Sequence, residues 1–330
     1  MFLRRIIQNI IVQSSLFTDW PNAIRAGSKD RAMTKLTKIC FVILAFTLAG
    51  CAQLSRDQEP SKPSAEIWDS SNKRWINETE LAKGLQDARY IVVGELHQSR
   101  YLQNQLLNLL KTLNKEQWLE AVAMDSLQSK LNAEELTYLE QLEKQSPALH
   151  SRYKSLIEWL EQEEIPVIAA AVPMDKLQAM KDKEARKWLK AQTGKALSEQ
   201  QMQQLRTIMS QSHPASKDNL EEKVDYLLAA QQLQDYFMAR MLLAVKENSV
   251  LITRAFHARN DLGLAPYLKA GEPDAKVKSL LMISTDDDDE VQDELKAMSR
   301  QYDYIWLKHH GKSLMLAPAG DKVKQSEQQK

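Results

Sequence analysis

The sequence predicts an α/β fold, a mainly parallel sheet flanked by helices, with a helical insertion between the third and fourth core strands. Three observations predict it. Six short apolar or β-branched runs lack the polar alternation of a half-exposed sheet, as strands buried on both faces do. Helical patterns separate most of those runs. One stretch, 175–248, rich in Lys, Gln, Glu and Met, is too long for a simple crossover and reads as the helical insertion.

The elements follow in order. Ile67 and Trp68, then the polar run 70–73, then Trp75 and Ile76 predict two short strands around a turn. Asn77 with Glu80 has the spacing of a capping box and opens a short helix. The core strands are expected at 90–93, 119–124, 165–171, 249–255, 277–283 and 304–307. Between the first two, Leu102, Leu106, Leu109, Leu110 and Leu113 recur at helical spacing, so that helix covers one face of the sheet. Met174, Met180, Met202, Met209, Met238 and Met241 cluster in or beside the insertion, where core filling is the expected role and an adaptable wall for a flat apolar ligand the alternative. The acidic run 286–290 reads as a solvated loop, and 318–330 as a disordered tail.

The N-terminal part carries an export signal. Lys35 and Lys38 precede an apolar run, 39–48, too short to span a bilayer, and the run ends in Leu48, Ala49, Gly50 and Cys51. That is a lipobox, with Cys51 as the lipid acceptor. The expected organisation is a signal sequence over 1–50 with its natural start at Met33, a lipidated tether over 51–66 and a folded domain over 67–317. Ala52 rather than aspartate after the cysteine points to the outer membrane, with the domain facing the periplasm.

Composition narrows the function. Loss of residues 1–50 removes seven basic and two acidic side chains, so 44 against 44 becomes 37 against 42, a formal charge of −5. Such a chain does not attract nucleic acid. Cys40 leaves with the signal and Cys51 is acylated, so no disulfide, thiolate metal site or cysteine nucleophile remains. No Gly-rich phosphate loop, serine nucleophile elbow, Cys-x-x-Cys pair or zincin helix occurs.

In open parallel sheets ligands lie beyond the carboxyl ends of the strands. There the first core strand runs into Gly94, Glu95, Leu96 and His97, the second into Asp125, the third into Val172, Pro173 and Met174, and the fourth into Phe256, His257, Ala258 and Arg259. Imidazole and carboxylate together can hold a divalent metal ion or run acid–base chemistry. Glu95, His97, Asp125 and His257 are therefore the candidate metal ligands. His309 and His310 follow the last strand, while His150 and His213 read as surface.

These segments, in this order, resemble the ChaN-like haem-binding lipoproteins of the Tiki/ChaN superfamily. The resemblance runs from Ile67 to Leu307 and rests on 91–97 (IVVGELH), 122–127 (VAMDSL), 165–173 (IPVIAAAVP), 230–239 (AQQLQDYFMA) and 256–268 (FHARNDLGLAPYL), with 302–306 (YDYIW) as a weaker sixth. It implies an α/β fold with a helical insertion, a lipid anchor and a strand-end pocket for haem or a metal ion. Three departures stand out. The family's further histidines are replaced by Gln98, Ser99, Arg100, Tyr101, Leu102 and Gln103, which leaves Tyr101 as the nearby anionic iron-ligand candidate. Arg254 stands at the family's glycine, and Asp125 at its glutamate position.

The resemblance implies a non-catalytic haem-binding lipoprotein of iron uptake, anchored in a bilayer and exchanging haem with a transport system, with a homodimer as a further expectation. His97 and His257 would lie on the ligand side, Tyr101 and Glu95 would line the site, and Arg100 and Arg259 would meet the haem propionates. The alternative it implies is a metal-dependent hydrolase or peptidase, with His97 and His257 on a divalent ion and Glu95 as the base that activates bound water.

Overall fold

The computed structural model describes residues 65–96, 100–128, 137–212, 220–245, 247–285 and 291–309. Cys51, the export signal, His97, His213, the acidic run 286–290, His310 and the C-terminal tail lie outside the described residues.

The chain opens with β1 (Ala65–Asp69) and β2 (Arg74–Ile76), a hairpin in which Trp68 and Trp75 meet edge to face at 5.1 Å. Helix α1 (Glu78–Leu85) starts at the capping box read from the sequence: Asn77 Oδ1 accepts from the Glu80 amide and Glu80 Oε2 from the Asn77 amide. Then come β3 (Tyr90–Glu95), α2 (Arg100–Lys115), β4 (Ala121–Gln128), α3 (Tyr138–Gln145), α4 (Pro147–Gln162) and β5 (Val167–Ala171). The insertion holds α5 (Met174–Ala179), α6 (Lys183–Thr193), α7 (Glu199–Ser212) and α8 (Leu220–Val245). Strand β6 (Ser249–Arg254), a 3₁₀ turn (Ala255–Ala258), α9 (Ala265–Gly271), β7 (Val277–Thr285), α10 (Val291–Met298) and β8 (Tyr304–His309) complete it.

All eight strands form one sheet in the order β2-β1-β8-β7-β3-β6-β4-β5. The six core strands are parallel; at the β8 edge β1 runs against them, and β2 pairs antiparallel to β1. Side chains alternate between two cores because successive strand residues point to opposite faces. Ile91 and Val93 join the five leucines of α2 and the buried face of α4, while Tyr90 and Val92 join α8 and α9. Met180, Met209, Met238 and Met241 are buried in that second core, so these methionines fill it. Helix α8 is the crossover itself, packed between the sheet and the rest of the insertion. Among the described residues no helix is long and apolar enough to cross a membrane.

Strand order creates the crevice. The chain leaves β3 over one face through α2, and leaves the adjacent β6 over the other through α9. Divergent connections at neighbouring strands open a cleft at their carboxyl ends.

Candidate functional site

Directly after β6 the backbone tightens into the 3₁₀ segment that carries His257. Glycine makes this possible on β3. A Cβ at Gly94 would lie 2.7 Å from the Ala258 Cβ and 2.8 Å from the Ala255 Cα, so the turn packs directly on the strand. Gly263 serves the same loop from its far end: a Cβ there would lie 2.2 Å from the His257 carbonyl oxygen.

His257 is 1% exposed and sits on a buried aspartate of α8. Its Nδ1 lies 2.7 Å from Asp235 Oδ1, and Gln231, one helical turn earlier, donates to Asp235 Oδ2 at 3.0 Å. On the other side, Arg254 Nη2 lies 3.1 Å from His257 Nε2 and donates to Gln234 Oε1 at 2.8 Å. Arginine can only donate. Nε2 therefore accepts, the imidazole proton sits on Nδ1, and that N–H donates to Asp235. Burial pushes the Asp235 carboxyl above its ordinary range, against the opposing pull of His257, Gln231 and Arg254.

Asp125 joins this cluster from β4. Its register with β6 ends at Met124, and beyond that point its Oδ2 accepts from the Thr253 hydroxyl at 2.6 Å and the Arg254 amide at 3.3 Å. A cavity of about 190 Å³ adjoins it, lined in part by Asp125, Met174, Leu177, Gln234 and Met238.

Glu95 is the register partner of Arg254, yet its carboxylate turns to the α4 face, where it accepts a short hydrogen bond from the Tyr153 hydroxyl. His257 faces α8, so the two are on opposite faces of the sheet. Burial pushes the Glu95 carboxyl above its ordinary range; Tyr153 and then Arg152 pull it down, and Asp125 adds to the rise. The Tyr153 hydroxyl is in turn raised well above the usual phenol range, by burial first and then by Glu95.

A raised carboxyl has a definite linkage sign. The unfolded chain releases this proton at a lower pH than the folded chain does, so the contribution of Glu95 is fully present below the ordinary glutamate range and is lost as pH rises through the folded value. Urea unfolding of wild type and Glu95→Gln from pH 4 to pH 7 should therefore show wild type losing stability relative to the variant as pH rises. A constant difference would contradict the assignment.

The remaining candidates are spread out. Arg259 makes a two-pronged ion pair with Asp261, Nε to Oδ1 at 2.9 Å and Nη2 to Oδ2 at 2.7 Å, and covers the Phe256 ring. Its guanidinium is thus already engaged by a carboxylate. Tyr101, in the first turn of α2, accepts from Gln105 at 2.8 Å and has the Lys308 ammonium 5.3 Å from its ring centre, which places it on the β8 flank of the edge, away from Asp125. Arg100 is exposed beside it. Among the described residues no group of three His, Cys, Asp or Glu is placed to hold a metal ion. Asp235, Gln231 and Gln234 were not singled out by the sequence reading. The signal available was the run of Gln231, Gln232, Gln234 and Asp235 between the apolar ends of α8, where a buried carboxylate needs a partner.

Among the described residues two large apolar side chains are exposed, Leu96 at 50% just after β3 and Met174 at 58% just after β5. Both stand at the carboxyl edge, three strand spacings or about 14 Å apart. An open parallel sheet with a polar cluster and exposed apolar groups at its strand ends is an α/β fold of the class that places ligand sites at that edge.

Comparison with known proteins narrows this class. The family model described as "Haem-binding uptake, Tiki superfamily, ChaN" matches residues 81–268, more than half of the chain. The chain belongs to that family. A solved structure titled "Cofacial heme binding to ChaN of Campylobacter jejuni" matches with a TM-score of 0.54 and 17% identity, covering 74% of this chain and 96% of that one, which shows a shared fold. A second, of a succinoglycan biosynthesis protein, matches at a TM-score of 0.36 and 12% identity over 62% of this chain and 68% of that one. No curated protein matches the chain in sequence.

Proposed function

We propose that this protein is a membrane-anchored lipoprotein that binds haem at the carboxyl edge of its sheet and passes it on during iron uptake, without catalytic turnover. The observation that carries the reading is the exposure of Leu96 and Met174 on either side of a polar cluster, in a chain of the haem-binding uptake family. Apolar groups flanking a polar cluster at a strand-end edge are the kind of contacts a flat, largely apolar ligand with charged groups uses.

The cavity of about 190 Å³ is smaller than an ordinary small-molecule pocket of about 300–1,000 Å³. A tetrapyrrole would therefore lie across the edge with one face open. An open face suits cofacial binding of the kind named for the Campylobacter protein, and a homodimer that closes two such faces on one another. The Cys51 lipid would hold the domain at the outer membrane, facing the periplasm. His97 and Tyr101 are the axial-ligand candidates in this reading, because the His257 Nε2 is taken by Arg254.

Haem titration followed by absorbance tests it. A saturable Soret band is expected in wild type, with the band position changed by His97→Ala or by Tyr101→Phe, whichever removes the iron ligand. Absence of any Soret band in the wild type overturns the proposal. The hydrolase alternative draws on one observation, the raised carboxyl of Glu95, a property suited to proton transfer. Peptide cleavage stimulated by a divalent ion and lost in Glu95→Gln is its signature.

A further inference from the structure

The guanidinium of Arg254 is held in place on the crevice edge without being neutralised by a carboxylate among the described residues. Its side chain leaves the end of β6, and one nitrogen, Nη2, spends both of its hydrogens on fixed acceptors, His257 Nε2 and Gln234 Oε1. Both acceptors are themselves anchored. His257 is 1% exposed and is tied to Asp235, which is 0% exposed, and Gln234 belongs to the same helix as Asp235. The backbone is pinned as well, since the Arg254 amide and the Thr253 hydroxyl share Asp125 Oδ2. A guanidinium carries five donors. Nε and the two hydrogens of Nη1 have no protein acceptor among the described residues, and the residue is exposed.

Arginine side chains at a surface normally hold many rotamers, and fixing one costs entropy on binding. Here the folded chain has already fixed it. A charge presented in one orientation, with three donors unspent, is what carboxylate recognition requires.

We propose that Arg254, seated on the Asp235–His257 pair and on Gln234, is the cation that takes a carboxylate of the bound ligand, and that His257 serves as its positioning residue instead of as an iron ligand. This rests on the haem reading for the source of the carboxylate, a propionate. Arg259 does not compete for that role because Asp261 already fills its two-pronged edge. Arg254 also lies over the one ring nitrogen of His257 that carries a lone pair, so iron could reach it only after the guanidinium leaves.

Three probes test the proposal on the full chain, each followed by fluorescence: iron-free protoporphyrin IX, its dimethyl ester, and 2-naphthoate, a flat apolar carboxylate without the macrocycle. Iron ligation plays no part in any of them. Wild type should prefer the free acid over the ester by about tenfold or more, the worth of one charge-assisted hydrogen bond. Arg254→Ala should abolish the preference, Arg254→Lys should keep part of it, and His257→Ala, which removes one of the two acceptors that hold the guanidinium, should weaken acid binding more than ester binding. Unaltered thermal unfolding of the two Arg254 variants separates loss of the cation from loss of the fold. Porphyrin binding whose acid preference survives in Arg254→Ala overturns the proposal and keeps the tetrapyrrole reading. Naphthoate binding that depends on Arg254, with neither porphyrin bound, keeps the carboxylate site and removes the tetrapyrrole reading. No binding of either carboxylate overturns both.

Discussion

Replacing Asp235 by leucine is expected to destabilise the chain by about 3 kcal/mol or more, the usual cost of breaking a buried charged or hydrogen-bonded pair from one side. The change strands the His257 Nδ1–H and the Gln231 amide inside the α8 core, with no water to replace the lost acceptor. Asparagine at the same position keeps an oxygen of the same reach, so Asp235→Asn should cost only about 1 kcal/mol. Urea unfolding of the two variants checks this. Equal losses would mean that shape alone, and not the acceptor, matters at residue 235.

A second large effect is expected at Gly263. Its missing side chain is what lets the loop after His257 close on itself, with the Gly263 amide donating to the Arg259 carbonyl at 3.1 Å and the Leu264 amide to the His257 carbonyl at 2.9 Å. The first methyl group added there meets main-chain atoms, the His257 and Arg259 carbonyl oxygens, which cannot rotate away as a flexible side chain would. Gly263→Ala should cost about 3 kcal/mol, at the upper end of ordinary overpacking. That corresponds to a fall of roughly 6–12 °C in Tm for a domain of this size. It should also displace Arg254 from His257, so loss of the acid-over-ester preference is expected along with the stability. A fully stable Gly263→Ala variant would show that the loop can open without harm.

Much of the architecture was legible because burial on both faces writes itself into sequence. The six core strands are continuous apolar runs, and all six occur, several of them extended by a residue or more at the carboxyl end. The five leucines of α2 and the Asn77–Glu80 capping box are local patterns, set by spacings of three and four residues, and both appear as expected. Strand order is a different matter. The placement of β6 between β3 and β4 depends on which neighbours α8 and α2 can cover, and no local pattern encodes it.

The site was legible only in outline. Reading the residues after each strand finds Glu95, Asp125 and His257 because topology alone puts them at one edge. It does not reveal that Glu95 and His257 turn to opposite faces, since the 3₁₀ turn resets the alternation after β6. Asp235 was hidden by distance along the chain, 22 residues from its partner, inside a helix that is apolar on most sides. Arg254 appeared only as a departure from a glycine, and its anchoring follows from a side chain 20 residues earlier, on the helix that leads into β6.

The most direct test of the central claim, that haem lies across the carboxyl edge, is a haem titration of the double variant Leu96→Glu, Met174→Glu beside wild type. Both side chains are exposed, so the fold should tolerate the changes while the edge becomes acidic and wet. The account predicts a saturable Soret band in wild type that is lost or weakened at least tenfold in the variant. An undiminished Soret band in a folded double variant would contradict it.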